Sequence, residues 1–359
     1  MMFQERIHRA QAALSHFSVD AFVIERSEDI AYFLDDQATT GTLLIGRDEV
    51  VFFIYRIDKD AYAHVQGVTL VFCDRDTTTP LISYLKKTPY RTIGFDSLHT
   101  SYQKYVERQQ ASSVFSWEPV TLFAEKLRCY KSADEIEKMR QAAILGSEGY
   151  DHVLSILQEG ITEKEAVRLL RIFWAKAGAE GPAFSPIIAF GENAAFPHAI
   201  PTERALRKGD IVLIDIGVLY QGYCSDMSRT VAWGRPDSRL IESYSAVVEA
   251  QKAALQRCRE GERCVDVHAA AVQVLKNFGL EQYFCHGVGH GVGRNIHEYP
   301  TLSPRGADAS LATGMTVTVE PGVYFPGIGG LRIEDTVLID GKKNFSLTDR
   351  PVPDELIIL

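Results

Sequence analysis

Between residues 211 and 233 the chain reads IVLIDIGVLYQGYCSDMSRTVAW, with β-branched and aromatic positions running up to a turn at Tyr220-Gln221-Gly222 and away from it again. The pattern predicts two antiparallel strands. A turn symmetric about Tyr220 and Gln221 sets Asp215 opposite Asp226 on one face of this hairpin. Residues 315–339, MTVTVEPGVYFPGIGGLRIEDTVLI, repeat the plan around PGIGG, with Glu320 and Glu334 equally distant from Gly327. Like charges opposed across a ladder destabilise it, and a carboxylate inside an apolar run must be protonated or given a cation. Two such pairs on two hairpins predict four carboxylates neutralised by two divalent cations.

Upstream, residues 3–120 alternate helix and strand. Phe3, Ile7, Ala10 and Leu14 recur at helical spacing. Apolar runs at 21–24, 42–45, 50–55, 68–73 and 91–95 predict strands, with helices at 80–87 and 101–110, so this part is an α/β domain with a mixed sheet. His8, His16, His64 and His99 are dispersed through it and read as structural or solvent-facing. Ser132 and Glu135 form a capping box that opens a helix running to about Gln158, and Thr162 and Glu165 form a second one, opening a helix that ends near Gly178. The predicted division is residues 1–122, a linker at 123–131, and residues 132–359. The second part runs through one plan twice: long helix, shorter helix, Gly- and His-bearing segment, carboxylate hairpin. A pseudo-two-fold axis relating the halves would bring all four carboxylates to one centre.

Composition narrows the function. A net charge of -9 argues against nucleic acid as the main partner, and no apolar run is long enough to span a bilayer. The N-terminal stretch lacks the continuous apolar core of a signal peptide, so a cytoplasmic protein is expected. The six cysteines form no CxxC, which argues against a disulfide framework or a structural zinc site. Cys224, two residues before Asp226, is expected to be a packed neighbour, since thiolates suit other metals than paired carboxylates do.

Between the hairpins lies FCHGVGHGVGRNIHEYP, with His286, His290 and His297. Its glycines are expected to let the backbone approach a site closely. It is no nucleotide loop, because the third glycine slot of GxGxxG falls on Val292 or Arg294. Upstream, PAFSPIIAFGENAAFPHAIP supplies His198 before Asp215, and Phe184, Ile187 and Ile188 as core or as the lining of an apolar pocket.

Asp215, Asp226, His290, Glu320 and Glu334, with HGVGHGVG and GLRIED, resemble the pita-bread metallopeptidases, in particular the Xaa-Pro dipeptidase (prolidase) and aminopeptidase P group. The resemblance covers roughly residues 125–359, and the preceding α/β domain looks like the creatinase-type domain of those enzymes. It implies an α/β creatinase-type domain followed by an α+β pita-bread catalytic domain. It further implies that Asp215 binds one metal, that His290 and Glu320 lie at the other, and that Asp226 and Glu334 bridge both. Hard oxygen ligands with one nitrogen favour Mn2+, with Co2+, Zn2+ or Fe2+ also able to fit. A hydroxide bridging two metals would attack the scissile carbonyl, with Glu320 as proton shuttle to proline's nitrogen.

The resemblance assigns His198 and His297 to the substrate and the tetrahedral intermediate, and His286 to the substrate's peptide or carboxyl end. Arg332, two residues before Glu334, is expected to orient carboxylates. Phe184, Ile187 and Ile296 are candidates for a proline pocket. Arg294 departs from the family pattern at an ordinarily apolar slot, as a solvated charge or a contact for a short peptide's carboxylate. The expected partners are short proline-containing peptides and, by resemblance, a second copy in a homodimer. Two rival readings are a catalytically silent pita-bread binding module and a creatinase-like C–N hydrolase; the intact ligand set argues against both. Dipeptidase and aminopeptidase specificity are not separated by the sequence.

Overall fold

The computed structural model describes residues 2–36 and 40–359, with the side chains of Met2 and Phe3 left undescribed, so the expectation for Phe3 lies outside the described residues. The chain divides into two compact units, residues 1–128 and 129–359.

In the first unit, six strands form a mixed sheet in the order Thr69–Cys73, Val50–Tyr55, Thr42–Gly46, Ala21–Ile24, Thr92–Asp96, Ser116–Val120. Alternation divides their side chains between two apolar layers. Phe22, Ile24, Leu43, Ile45, Phe52 and Ile54 pack with Ile7, Ala10, Leu14 and Phe123, while Val23, Leu44, Val51, Phe53 and Ile93 pack with Leu81, Ile82 and Leu85. The segment read as a linker contains the helix Phe123–Arg128, whose Phe123 and Ala124 are buried in the first of these layers. Two elements gave no signal in the sequence. Ser27–Leu34 is a helix buried from Asp29 to Leu34, so it shows no polar face to mark a period, and Ser116–Val120 contains Pro119, which only an edge strand tolerates.

The second unit is built from two helix pairs, Ala133–Ile156 with Glu163–Lys176 and Ser238–Arg257 with Cys264–Asn277, each followed by a broken hairpin in the pseudo-two-fold plan of the pita-bread fold. The capping box of Ser132 and Glu135 is formed in both directions, and Tyr223 donates to Glu135 at 2.9 Å, tying the helix start to the first hairpin. Thr162 makes only half of the second box: it accepts from the Glu165 amide, but the Glu165 carboxylate turns outward to Arg168.

Register decides how the acids meet. In the second hairpin Val319 pairs with Asp335 and Gly322 with Arg332, a register symmetric about Gly327 as expected. The first hairpin differs. Tyr220 pairs with Tyr223 and Asp215 with Ser228, so the turn is centred on Gln221-Gly222, where both residues take positive φ (48° and 72°). That conformation suits the right-handed twist of a two-residue hairpin, and Gly222 adopts it without steric cost. Asp226 therefore sits diagonal to Asp215 instead of opposite it, on the same face, and Ser228 takes the opposing place.

Candidate metal centre

Each hairpin breaks where its acids stand. Asp226 lies between the strands Tyr223–Cys224 and Met227–Trp233, and Glu320 between Thr316–Val319 and Gly322–Phe325. A bridge between Ser228 and Glu334, with the Glu334 amide donating to the Ser228 carbonyl at 3.0 Å, joins the two breaks. Ligand atoms of Asp226, His290 and Glu334 lie within 4.8 Å of one another. His290 Nε2 is 3.7 Å from Asp226 and 3.3 Å from Glu320. Asp215 joins through Arg332, which pairs with it directly and donates from Nε to Ser228 Oγ at 3.0 Å. Ser228 Oγ in turn donates to Glu334 at 2.7 Å. All five predicted ligands thus converge on one buried place, and Arg332 sits among them.

The electrostatics record a shortage of positive charge. Burial pushes the carboxyls of Asp226 and Glu334 well above the usual range, and the neighbouring acids push both further. Asp215 is raised by burial too, with Arg332 opposing. Glu320 goes the other way: burial would raise it, but the hydrogen bond and charge of His290, helped by His286 and Arg332, hold it at about 2. His290 is raised despite burial, because Glu320 holds its proton. Four acids against one guanidinium and one imidazole is an arrangement that divalent cations relieve. The histidine is oriented for that. Its Nδ1 donates to the Gly291 carbonyl at 3.0 Å, so a cation that displaced the Nε2 proton would meet that nitrogen's lone pair among the carboxylates.

The glycines around it serve packing more than access to the site. A Cβ on Gly289 would lie 1.9 Å from the Thr318 carbonyl oxygen, and one on Gly291 2.5 Å from that of Tyr299. They let the strand Gly289–Gly291 lie tight between its neighbours, where Thr318 Oγ1 accepts from the His290 amide at 3.0 Å.

The other predicted residues fall into two groups. His198 and His297 are exposed, and His297 packs edge-on to His290 at 4.3 Å between ring centres. His286 is more enclosed. Its Nδ1 donates to the Gly287 carbonyl at 2.7 Å, so its Nε2 accepts from the Tyr324 hydroxyl at 2.9 Å, and that hydroxyl accepts from Arg332 at 2.7 Å. Both ring nitrogens of His286 are therefore engaged inside the protein, and burial lowers its pKa in keeping with a neutral ring.

Among the pocket candidates, Ile187 is buried in the core and pairs across the sheet with Asp215, while Phe184 packs against the backbone of Gly217. Ile296 packs with Tyr223, Cys224 and Val292, and the Arg294 guanidinium lies 5.0 Å from the centre of the Tyr223 ring. Cys224 is buried, its Sγ directed to the Arg294 carbonyl at 3.6 Å. Sequence reading passed over Ser228 and Tyr324. Strand alternation could have found both, because Ser228 follows Asp226 by two residues and Tyr324 follows Glu320 by four, which puts each on the acids' face.

A pseudo-two-fold pair of hairpins bringing four acids and one imidazole to a buried centre defines a pita-bread metallohydrolase. Comparison with known proteins narrows the class. The model of metallopeptidase family M24 matches residues 137–341, and that of the creatinase/prolidase N-terminal domain matches residues 6–130. An Xaa-Pro dipeptidase of Pyrococcus furiosus is 31% identical over 97% of this chain and 99% of its own. Among solved structures, an Xaa-Pro dipeptidase from Bacillus anthracis superposes with a TM-score of 0.95 at 32% identity, covering 99% of this chain and 100% of that one. An X-Pro aminopeptidase from Thermotoga maritima reaches 0.86 at 26% identity, covering 97% and 100%. The chain belongs to metallopeptidase family M24, with a creatinase-type N-terminal domain, and is a metallo-exopeptidase that takes divalent metal ions. Among the described residues no helix is long and apolar enough to cross a membrane.

Proposed function

We propose that the chain is a dinuclear exopeptidase that hydrolyses Xaa-Pro bonds, and that dipeptides are its substrates. The observation that carries this is the convergence of Asp215, Asp226, His290, Glu320 and Glu334 on one centre with too little resident positive charge. Asp215 would hold one ion and His290 with Glu320 the other, Asp226 and Glu334 being shared. Mn2+ suits this hard donor set. When bound, the two ions supply an acidified water and polarise the scissile carbonyl.

The chain's own groups do the rest. Glu320 accepts a proton from the attacking water and returns it to proline's nitrogen, which carries no hydrogen before cleavage. His198 and His297, exposed beside the acids, contact the substrate carbonyl and the tetrahedral intermediate. His286 acts through Tyr324 on Arg332, which fixes Asp215. Phe184, Ile187 and Ile296 are the candidates for the wall around the proline ring. The names of the relatives favour dipeptides over longer peptides.

Protein stripped by a chelator should lose cleavage of Ala-Pro and regain it with Mn2+. Cleavage of Ala-Pro should exceed that of Ala-Pro-Ala. Activity indifferent to metal would overturn the dinuclear reading, and a preference for the tripeptide would make the chain an aminopeptidase.

A further inference from the structure

Glu163 is fully buried, and it makes no ion pair among the described residues. Its carboxylate is instead surrounded by hydrogen-bond donors. Oε1 accepts from the Phe190 amide at 2.8 Å and from Asn193 Nδ2 at 3.0 Å; Oε2 accepts from Asn193 Nδ2 at 2.9 Å and from the amide and hydroxyl of Thr202, both at 2.7 Å. Phe190 and Thr202 are the two ends of one connecting segment, residues 190–202, and Asn193 lies inside it. The Glu163 carboxylate thus bridges the two ends of this segment, alongside the Asn193 amide that donates to the Ile200 carbonyl at 3.2 Å and the Lys164 amide that donates to the Thr202 carbonyl at 3.1 Å.

His198 is in the middle of that segment. Beside it, the Pro197 carbonyl accepts from Arg332 Nη1 at 3.2 Å. Further back, the Ala194 carbonyl packs so close to Gly330 that a Cβ there would lie 2.2 Å away. The segment is therefore held to the acid cluster on one side and to Glu163 on the other. Between these holds Phe196, His198 and Ile200 face solvent, Phe196 and Ile200 at 62% and 79% exposure. Ala194 and Ala199 anchor the segment in the core between them, so the placing of His198 follows that of the backbone.

We propose that Glu163 is a positioning residue for His198: by joining the two ends of segment 190–202 it sets where the imidazole stands relative to the metal ligands. This rests on the substrate-contacting role given to His198 above. Glu163→Gln tests it, because the amide keeps the size but turns an N–H toward donors that need an acceptor. Two measurements are made on the full-length, metal-loaded protein.

Hydrogen exchange of the amides of Phe190 and Thr202 should quicken by about tenfold, with the strand Asp210–Ile216 unchanged. In steady-state kinetics on Ala-Pro, kcat should fall by roughly tenfold with metal content unchanged, and the same substitution in a His198→Ala background should change kcat by less than about twofold. Thr202→Val, which removes one donor, should give a smaller loss, and Thr202→Ser should restore wild-type behaviour. Equal losses with and without His198, or unchanged exchange at Phe190 and Thr202, would overturn the proposal. Should Glu163→Gln not fold, the Thr202 pair carries the same cycle against His198→Ala. A wild-type protein inactive on every Xaa-Pro peptide would remove the functional reading, and the exchange result would still decide the anchoring.

Discussion

Each unit contains an acidic cluster with an imidazole in reach. Asp96, His99 and Glu125 in the first unit bring ligand atoms within 4.8 Å of one another, as Asp226, His290 and Glu334 do in the second. They differ in what already neutralises them. In the first unit Arg26 donates to Glu125 at 2.5 Å, Arg128 pairs with the neighbouring Asp29, and His99 lies 2.6 Å from Asp96. In the second, Arg332 pairs with Asp215 and reaches Asp226 and Glu334 only through its field, and among the described residues the cation nearest Asp226 is His290. Proximity of ligand types is common to both clusters, and uncompensated burial belongs to one. Only the second has the charge deficit that draws in divalent ions.

The strongest test removes ligands from each. Glu334→Ala or Asp226→Ala should abolish metal retention and lower Xaa-Pro hydrolysis by on the order of a thousandfold or more. His99→Ala should leave the metal content per chain as it was. A drop in metal content on His99→Ala, read by elemental analysis, would erase the distinction.

Removing the resident arginines separates the clusters next. Arg128→Met breaks a buried pair and should cost about 3 kcal/mol in denaturant unfolding of the first unit, with kcat retained. Arg332→Met should instead lower kcat by about 10- to 100-fold, because it frees Asp215, Ser228 and Tyr324 together. Equal effects of the two on stability and on rate would mean that both arginines are merely structural.

The pH dependence follows with a definite sign. Asp226, Glu334 and His290 all have folded pKa values above their ordinary ones, so in metal-free protein the stability they contribute is present at low pH and lost as pH rises through those raised values. Bound cations reverse this, since they need the deprotonated groups. The rise in melting temperature on adding Mn2+ should therefore widen between about pH 5 and about pH 8. A gap that narrows over that range would show the acids already ionised and balanced without metal.

The smallest effect concerns a cation near the second cluster that is engaged elsewhere. Arg294→Ala should cost roughly 0.5 to 1 kcal/mol through its contact with Tyr223, and move KM for Ala-Pro by less than about twofold. A tenfold rise in KM would make Arg294 the partner of the substrate carboxylate.

The linear chain determined a good deal by itself. Residue types and the period of two placed Asp215, Asp226, Glu320 and Glu334 on two hairpins, and the symmetry of PGIGG matches the pairs that flank Glu320 and Glu334, Val319 with Asp335 and Gly322 with Arg332. These are local properties, set by alternation and turn chemistry within a few tens of residues. What only the folded molecule decided is how distant segments meet. The turn at Gln221-Gly222 set Ser228, not Asp226, against Asp215, and the partners of Arg332 lie as far away as Pro197. Likewise, nothing in the helix-start pattern at Thr162 announces that Glu163 closes a segment whose far end lies 39 residues on. A hydrogen bond between groups so far apart leaves no periodic trace, because it depends on how whole elements pack and not on the spacing within any one of them.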